Sequence, residues 1–317
     1  MAGSALLPWN ECIRVLGAPV VHPEGDGAFS RALFNKSLDQ MREMCRVLTH
    51  LPAAHVQYTL LRYCMDGCRL NFLLRVTQAT RVQHEVEVSS KLLRTTLGDI
   101  LGAQLADLQW GQARLPQREG GLGIKSPEDI HLTARLASLA DFLQRGREVL
   151  GLPPDLALQP ADLPYVLSGA SRHLGAQLEP LCSWLAAPAK MAQADATQQW
   201  WSEKWHGVSA KRLLAELPAR EKARFAFQRD QRGGPWLAMA PCRALGTEIP
   251  SDEFRALGKY WLGAPLLEAG SVLACPKCGN HSDALGDHMV SCPRNDLRRR
   301  HETIQGALFE LAQLAGV

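Results

Sequence analysis

Cys275-Pro276-Lys277-Cys278-Gly279, followed by His288 and Cys292, sets three thiols and one imidazole in a Cys-x2-Cys-x9-His-x3-Cys spacing. A Cys-x-x-Cys turn brings two sulfurs to one ion, and Gly279 lets the backbone fold beneath them without a Cβ clash. His288 and Cys292 are four apart, so one helical turn or a tight loop presents both to the same point. Four donors complete a tetrahedral shell. That predicts a closed structural Zn2+ site, a zinc knuckle, on Cys275, Cys278, His288 and Cys292. His281 and His301 are competing imidazoles; His288 is preferred because it leaves enough chain to wrap the metal while keeping Cys292 close. A redox Cys-x-x-Cys would need a βαβ surround that is missing here, and four unrelated buried residues would not need this spacing.

Outward from the knuckle, the chain has 317 residues, long enough for about two or three units. Its 46% hydrophobic content supports a sizeable core and argues against global disorder. A net charge of +3 is too mild to demand a nucleic-acid partner, so any basic surface must be local. Nine cysteines is an odd count, no signal-peptide pattern opens the chain, and no apolar run is long enough for a transmembrane segment. The expectation is an intracellular protein, nuclear or cytoplasmic, with reduced thiols and no membrane partner. Cys12, Cys45, Cys64, Cys68, Cys182 and Cys242 then read as small buried hydrophobes.

Helical periodicity covers most of the rest, which predicts a mainly α fold. Residues 1–30 are irregular, with Ile13 to Val21 as a possible strand. Phe34, Leu38, Met41, Cys45 and Leu48 recur at helical spacing, and Leu51-Pro52 stops that helix. Val56 through Arg75 continues helically with a break at Gly67, and Val88 through Leu105 forms a third helix. In Glu119-Gly120-Gly121-Leu122-Gly123-Ile124 the glycines lack phosphate-loop spacing and instead make a tight turn that sends Leu122 and Ile124 into a core. Ser126-Pro127-Glu128-Asp129 starts the next helix. These helices form a first unit over 31–150.

Residues 151–250 read as a Pro-rich connection followed by two basic, aromatic helices, near 194–205 and 210–229. Between Glu203 and Arg232 the cations exceed the acids by four, with Trp200, Trp201, Trp205, Phe225, Phe227 and Trp236 interleaved. Such a mixture suits single-stranded nucleic acid; a solvated helix face over ordinary core aromatics has the same signature. Lys211, Arg212, Lys222 and Arg224 are the candidate phosphate contacts here. Residues 251–317 hold a short amphipathic helix, the knuckle, then Arg298-Arg299-Arg300, also suited to phosphate. A terminal helix follows with Ile304, Leu308, Leu311 and Ala315 on one face.

Several of these pieces, in this order, resemble the C-terminal portion of non-LTR-retrotransposon-like reverse transcriptases. Arg14-Val-Leu-Gly-Ala-Pro19 is similar to the segment following the palm, and Leu70-Asn-Phe-Leu-Leu-Arg75 to a "YLLR" stretch. Leu115-Pro116 with Gly120-Gly-Leu-Gly-Ile124 resembles "LP…GGLGI". Cys275-Pro-Lys-Cys-Gly279, Asp283, Gly286-Asp-His288, Ser291-Cys292 and Arg299-Arg-His301 resemble "CxxCG…D…GDH…SC…RRH". The resemblance implies a thumb-like helical domain over 31–150, after a missing palm and without the following endonuclease domain. Two-metal nucleotidyl transfer needs paired carboxylates, and no Asp-Asp pair occurs in the chain. The expected function is therefore a noncatalytic fragment that binds RNA or DNA with low specificity. The alternative is a protein-interaction or purely structural relic docking through its terminal helix.

Overall fold

The computed structural model describes residues 13–16, 18–20, 27–142, 145, 149, 151, 162–175, 197–229, 234–267, 271, 273–292, 294 and 305. Among them helices dominate and the strands make two small hairpins, so the mainly α class is what the chain adopts. Its contacts divide it into two compact units, Met1–Arg255 and Ala256–Val317. The first unit includes the described helices of 151–250, the stretch expected to be a connection and a separate basic region.

The possible strand is a hairpin: β1 (Ile13–Val15) pairs antiparallel with β2 (Ala18–Val20), placing Arg14 opposite Pro19. Helix α1 (Ala28–Leu48) buries the anticipated stripe of Phe34, Leu38, Met41, Cys45 and Leu48. Helix α2 (Ala54–Leu60) runs into a π turn, the chain breaks at Asp66, and α3 (Asn71–Val76) resumes after a 3-10 turn. The break has a cause. The Gly67 amide donates to Lys125 O at 2.7 Å, and a Cβ on Gly67 would sit 2.5 Å from that oxygen. Asp66 secures the crossing by accepting from the amides of Cys68 and Lys125.

Helix α4 (Gln83–Leu101) ends at Gly102 in the left-handed region, so Leu105, expected in that helix, is buried from the following loop instead. Helix α5 (Asp107–Arg114), which the periodicity did not indicate, leads into the glycine segment. There Leu122 and Ile124 are buried as expected, and their amides and that of Gly123 donate to Ala113 O and Leu115 O. Helix α6 (Pro127–Asp141) starts where read, with the Ser126 hydroxyl accepting from the Glu128 amide.

Around α6 pack α3, α4, α7 (Leu163–Leu174) and α8 (Gln198–Glu216). Leu136, Ala137, Val166, Ala170, Leu174, Trp201 and Trp205 share one core cluster. Asp162 fastens α7: its carboxylate accepts two bonds from Arg135 of α6, at 2.8 and 3.0 Å, and one from the Ala79 amide. Burial would raise this carboxyl, but the Arg135 hydrogen bonds and charge outweigh it and hold it below its ordinary value. Helix α9 (Ala219–Gln228) begins after Leu217-Pro218, because a residue before proline resists the α region. The expected break between Trp205 and Ala210 does not exist; α8 runs straight through it. Phe225 joins Leu115, Ala210, Leu213 and Leu217 in a second cluster.

Of the six cysteines expected to be buried, three depart from that expectation and two are out of view. Cys45 is buried, yet Cys64 and Cys68 are exposed and Cys242 is half-buried; Cys12 and Cys182 lie outside the described residues. Among the described residues no helix is long and apolar enough to cross a membrane.

Gly121→Ala should be severely destabilising, because its Cβ would meet Leu115 O at 1.9 Å and backbone would have to move. We expect a loss of about 3 kcal/mol or more in urea unfolding. Gly207→Ala, inside α8 with open space around it, should instead stabilise by about 0.5 to 1 kcal/mol. Asp162→Ala strands the Arg135 guanidinium and should cost about 3 to 5 kcal/mol. In the wild type that contribution is present at neutral pH and fades as acid titrates Asp162 through its lowered pKa.

Candidate metal centre

In the second unit, β3 (Leu273–Ala274) and β4 (His281–Ser282) form an antiparallel hairpin with Ala274 opposite His281. Cys275 and Cys278 sit in its turn. The Cys275 amide donates to Asn280 O at 2.7 Å, and the Gly279 amide to Cys275 O at 2.8 Å. Gly279 closes this turn at φ +78°, a conformation that side chains rarely take. Its freedom from a Cβ serves that backbone angle and not a crowded contact, since nothing lies within 4 Å of the Cβ position.

After β4 the chain turns at Asp283 into the single-turn helix α10 (Asp287–Ser291), which carries His288, with Cys292 just beyond it. Asp283 organises that turn. One carboxylate oxygen accepts from the amides of Leu285 and Asp287, the other from the amide of His288 at 2.8 Å. Burial pushes this carboxyl up, but the three amides prevail and hold it below the ordinary carboxylate value. Gly286 has φ +81°, and a Cβ there would meet Leu266 at 2.5 Å.

The result is a convergence of four ligand atoms. Those of Cys275, Cys278, His288 and Cys292 all lie within 4.8 Å of one another, an arrangement that could hold a metal ion. Cys275 Sγ is 3.7 Å from Cys292 Sγ, and Cys278 Sγ is 3.1 Å from His288 Nε2. The sulfur separation is far beyond the ~2.05 Å of a disulfide. Cys275 and Cys292 are buried while Cys278 and His288 are half-buried, so the cluster is shielded without being sealed. Amide donation from Lys277 and Cys278 draws the Cys275 thiol down toward its metal-binding thiolate form. The Asn280 amide favours the Cys278 thiolate too, but burial and the neighbouring sulfurs win and raise that thiol. His281, the competing imidazole, lies exposed on β4 and is not in the cluster; His301 is outside the described residues. The Asp283 contribution went unread, although Ser282-Asp283 ahead of Gly286-Asp287-His288 places a short carboxylate where it can cap a turn.

The candidate phosphate contacts fare unevenly. Lys211 and Lys222 are exposed, on α8 and α9. Arg212 is at the surface, but its guanidinium donates to Arg172 O and His173 O, at the C-terminus of α7. Arg224 must be withdrawn. Its side chain is 8% exposed and is bound to Glu221, Gln228 and Gln112. Of the interleaved aromatics, Trp201, Trp205 and Phe225 are core, whereas Phe227 is 70% exposed. Arg298, Arg299 and Arg300, and the terminal stripe of Ile304, Leu308, Leu311 and Ala315, lie outside the described residues.

Comparison with known protein families, curated proteins and solved structures returned no match.

Asp283→Asn removes the charge that holds the His288 amide and its neighbours. Competition against a chromophoric chelator should show metal affinity reduced about 10- to 100-fold, as for other groups that orient ligands from behind.

Proposed function

We propose that Cys275, Cys278, His288 and Cys292 hold one structural Zn2+, in a noncatalytic, retroelement-derived fragment that binds nucleic acid through phosphate contacts. The observation that carries the metal reading is the convergence of those four donors. Zinc–sulfur bonds of about 2.3 Å in a tetrahedron place two sulfurs about 3.8 Å apart, against 3.7 Å between Cys275 and Cys292. A sulfur and a nitrogen on the same ion are about 3.5 Å apart, so the 3.1 Å between Cys278 and His288 needs only a small side-chain adjustment. Three sulfurs with one imidazole suit zinc better than the hard ions magnesium or calcium.

When bound, zinc supplies folding energy. The described strands of the hairpin are 2 residues each and the helix is 5 residues. Elements that short cannot hold a structure by hydrogen bonding alone. All four ligands come from the protein, which leaves no open position of the kind catalysis uses.

The nucleic-acid part of the proposal draws on exposed Lys211 and Lys222, on exposed Phe227, and on the family resemblance. Arg298, Arg299 and Arg300 follow the last ligand closely in sequence and would add phosphate contacts. Contacts of this kind position a strand without reading its sequence. The absence of any adjacent Asp pair supports a noncatalytic role.

Mass spectrometry of the purified chain should find one zinc, lost in Cys275→Ser and in Cys292→Ser. Because the ligands bind as thiolates and neutral imidazole, falling pH puts protons in competition with the metal, so zinc should leave on acidification. A folded wild type that binds no zinc at neutral pH refutes the metal reading. Oligonucleotide affinity should fall steeply with added salt; retained tight binding at high salt refutes the phosphate reading.

A further inference from the structure

The break between α2 and α3 sets a thiol against an amine. Lys125 Nζ donates to Cys68 Sγ at 3.3 Å, across 57 positions of sequence. Both residues are held from behind. Asp66 is 1% exposed; one of its carboxylate oxygens accepts from the Cys68 amide at 3.0 Å and the other from the Lys125 amide at 3.3 Å. Between them the Gly67 amide donates to Lys125 O at 2.7 Å. These backbone hydrogen bonds fix the stems of both side chains, so nitrogen and sulfur stay within reach of each other without a search.

The pair is also open to small reagents. Cys68 and Lys125 are exposed residues, and so is Cys64 in the preceding turn. Protein around the Cys68 sulfur and the Asp66 carboxylate push its thiol up, against the pull of Lys125. Such a thiol is a slow nucleophile at neutral pH and a faster one in mild alkali, where lysine also begins to lose its proton.

From this geometry we infer that Cys68 and Lys125 form an oxidative cross-linking site, in which hydrogen peroxide joins Sγ to Nζ as a sulfenamide. The Cys68 thiolate attacks one peroxide oxygen and the O–O bond breaks. Sulfur gives up two electrons and becomes a sulfenic acid, while the departing hydroxide takes a proton and leaves as water. The neutral Lys125 amine then places its lone pair on that sulfur. The S–N bond forms as the S–O bond breaks, and the hydroxyl departs with an amine proton as a second water. Sulfenic acids condense in this way with thiols and with backbone nitrogen; here a side-chain amine already touches the sulfur. The link ties the broken helix to the far end of the glycine segment, and a thiol reductant reopens it by attacking the sulfur and releasing the amine.

The test oxidises the full chain with hydrogen peroxide at about pH 9, caps free thiols with N-ethylmaleimide and maps tryptic peptides by mass spectrometry. The expected product joins the peptide Tyr63–Arg69 to one that runs uncut through Lys125, two hydrogen atoms lighter than the separate peptides. Cys64 and Cys68 share that first peptide, so Cys64→Ser assigns the sulfur and should keep the link. Cys68→Ser and Lys125→Arg should abolish it, with circular dichroism confirming that both fold, and dithiothreitol should remove it from the wild type. Oxidation in urea above the unfolding midpoint should lower its yield by about 10-fold or more, because the pair is then no longer held together.

Either of two results overturns the inference. In one, trypsin cuts normally after Lys125 in the oxidised wild type, and Cys68 is recovered as sulfinic acid or in a disulfide with Cys64. In the other, the link forms as well in urea as in the folded chain, which makes it a chance encounter instead of a built site.

Discussion

The first unit depends on one close backbone approach. The segment from Leu115 to Ser126 folds back so tightly that Gly121 lies against Leu115 O, where no side chain fits. Its far end, at Lys125, meets the broken helix at Gly67 with equally little room. Much else is fastened to this strip. The Tyr58 hydroxyl donates to Leu122 O at 2.6 Å, and Gln112 donates to Gly120 O at 2.9 Å. Phe225 of α9 covers Gly120, where a Cβ would stand 3.1 Å from its ring. Buried backbone must find partners, and here they are side chains brought in from α2 and α5, while α9 supplies the apolar cover.

That strip was legible in the sequence as a turn, because clustered glycines beside Leu122 and Ile124 have few other uses. So were the stripes of α1 and α4 and the Ser126-Pro127 start of α6, since each depends on neighbours only a few positions away. The four-donor cluster was legible for the same reason: its spacing is local, and hairpin and turn bring the ligands together without help from distant chain. What escaped reading was decided at long range. Arg224 carries the same charge whether it faces water or Gln112, more than a hundred positions earlier. The break at Gly67 is legible, but the exposure of Cys64 and Cys68 beside it is not, because the partner that fixes the break is Lys125, far along the chain.

Charge in this protein thus divides into two kinds. Arg135, Arg224 and Arg114 are structural: each sits mostly out of water and satisfies carboxylates or amides from another part of the chain. Their removal would leave polar partners stranded, a cost that falls on stability. Lys36, Arg69, Lys211 and Lys222 are exposed, and changing them should have little effect on folding. A net charge of +3 conceals this division, because the buried guanidiniums count as much as the surface ones.

The fork between Arg135 and Asp162 has a bearing on how the first unit opens. It stands at the start of α7, with Gly151 the last described residue before it. Helix α7 is positioned by that fork, by the Ala79 amide and by the core around Val166 and Ala170. The seat of α7 is therefore set by groups far off in sequence, and weakening the fork would loosen that helix ahead of the rest of the unit.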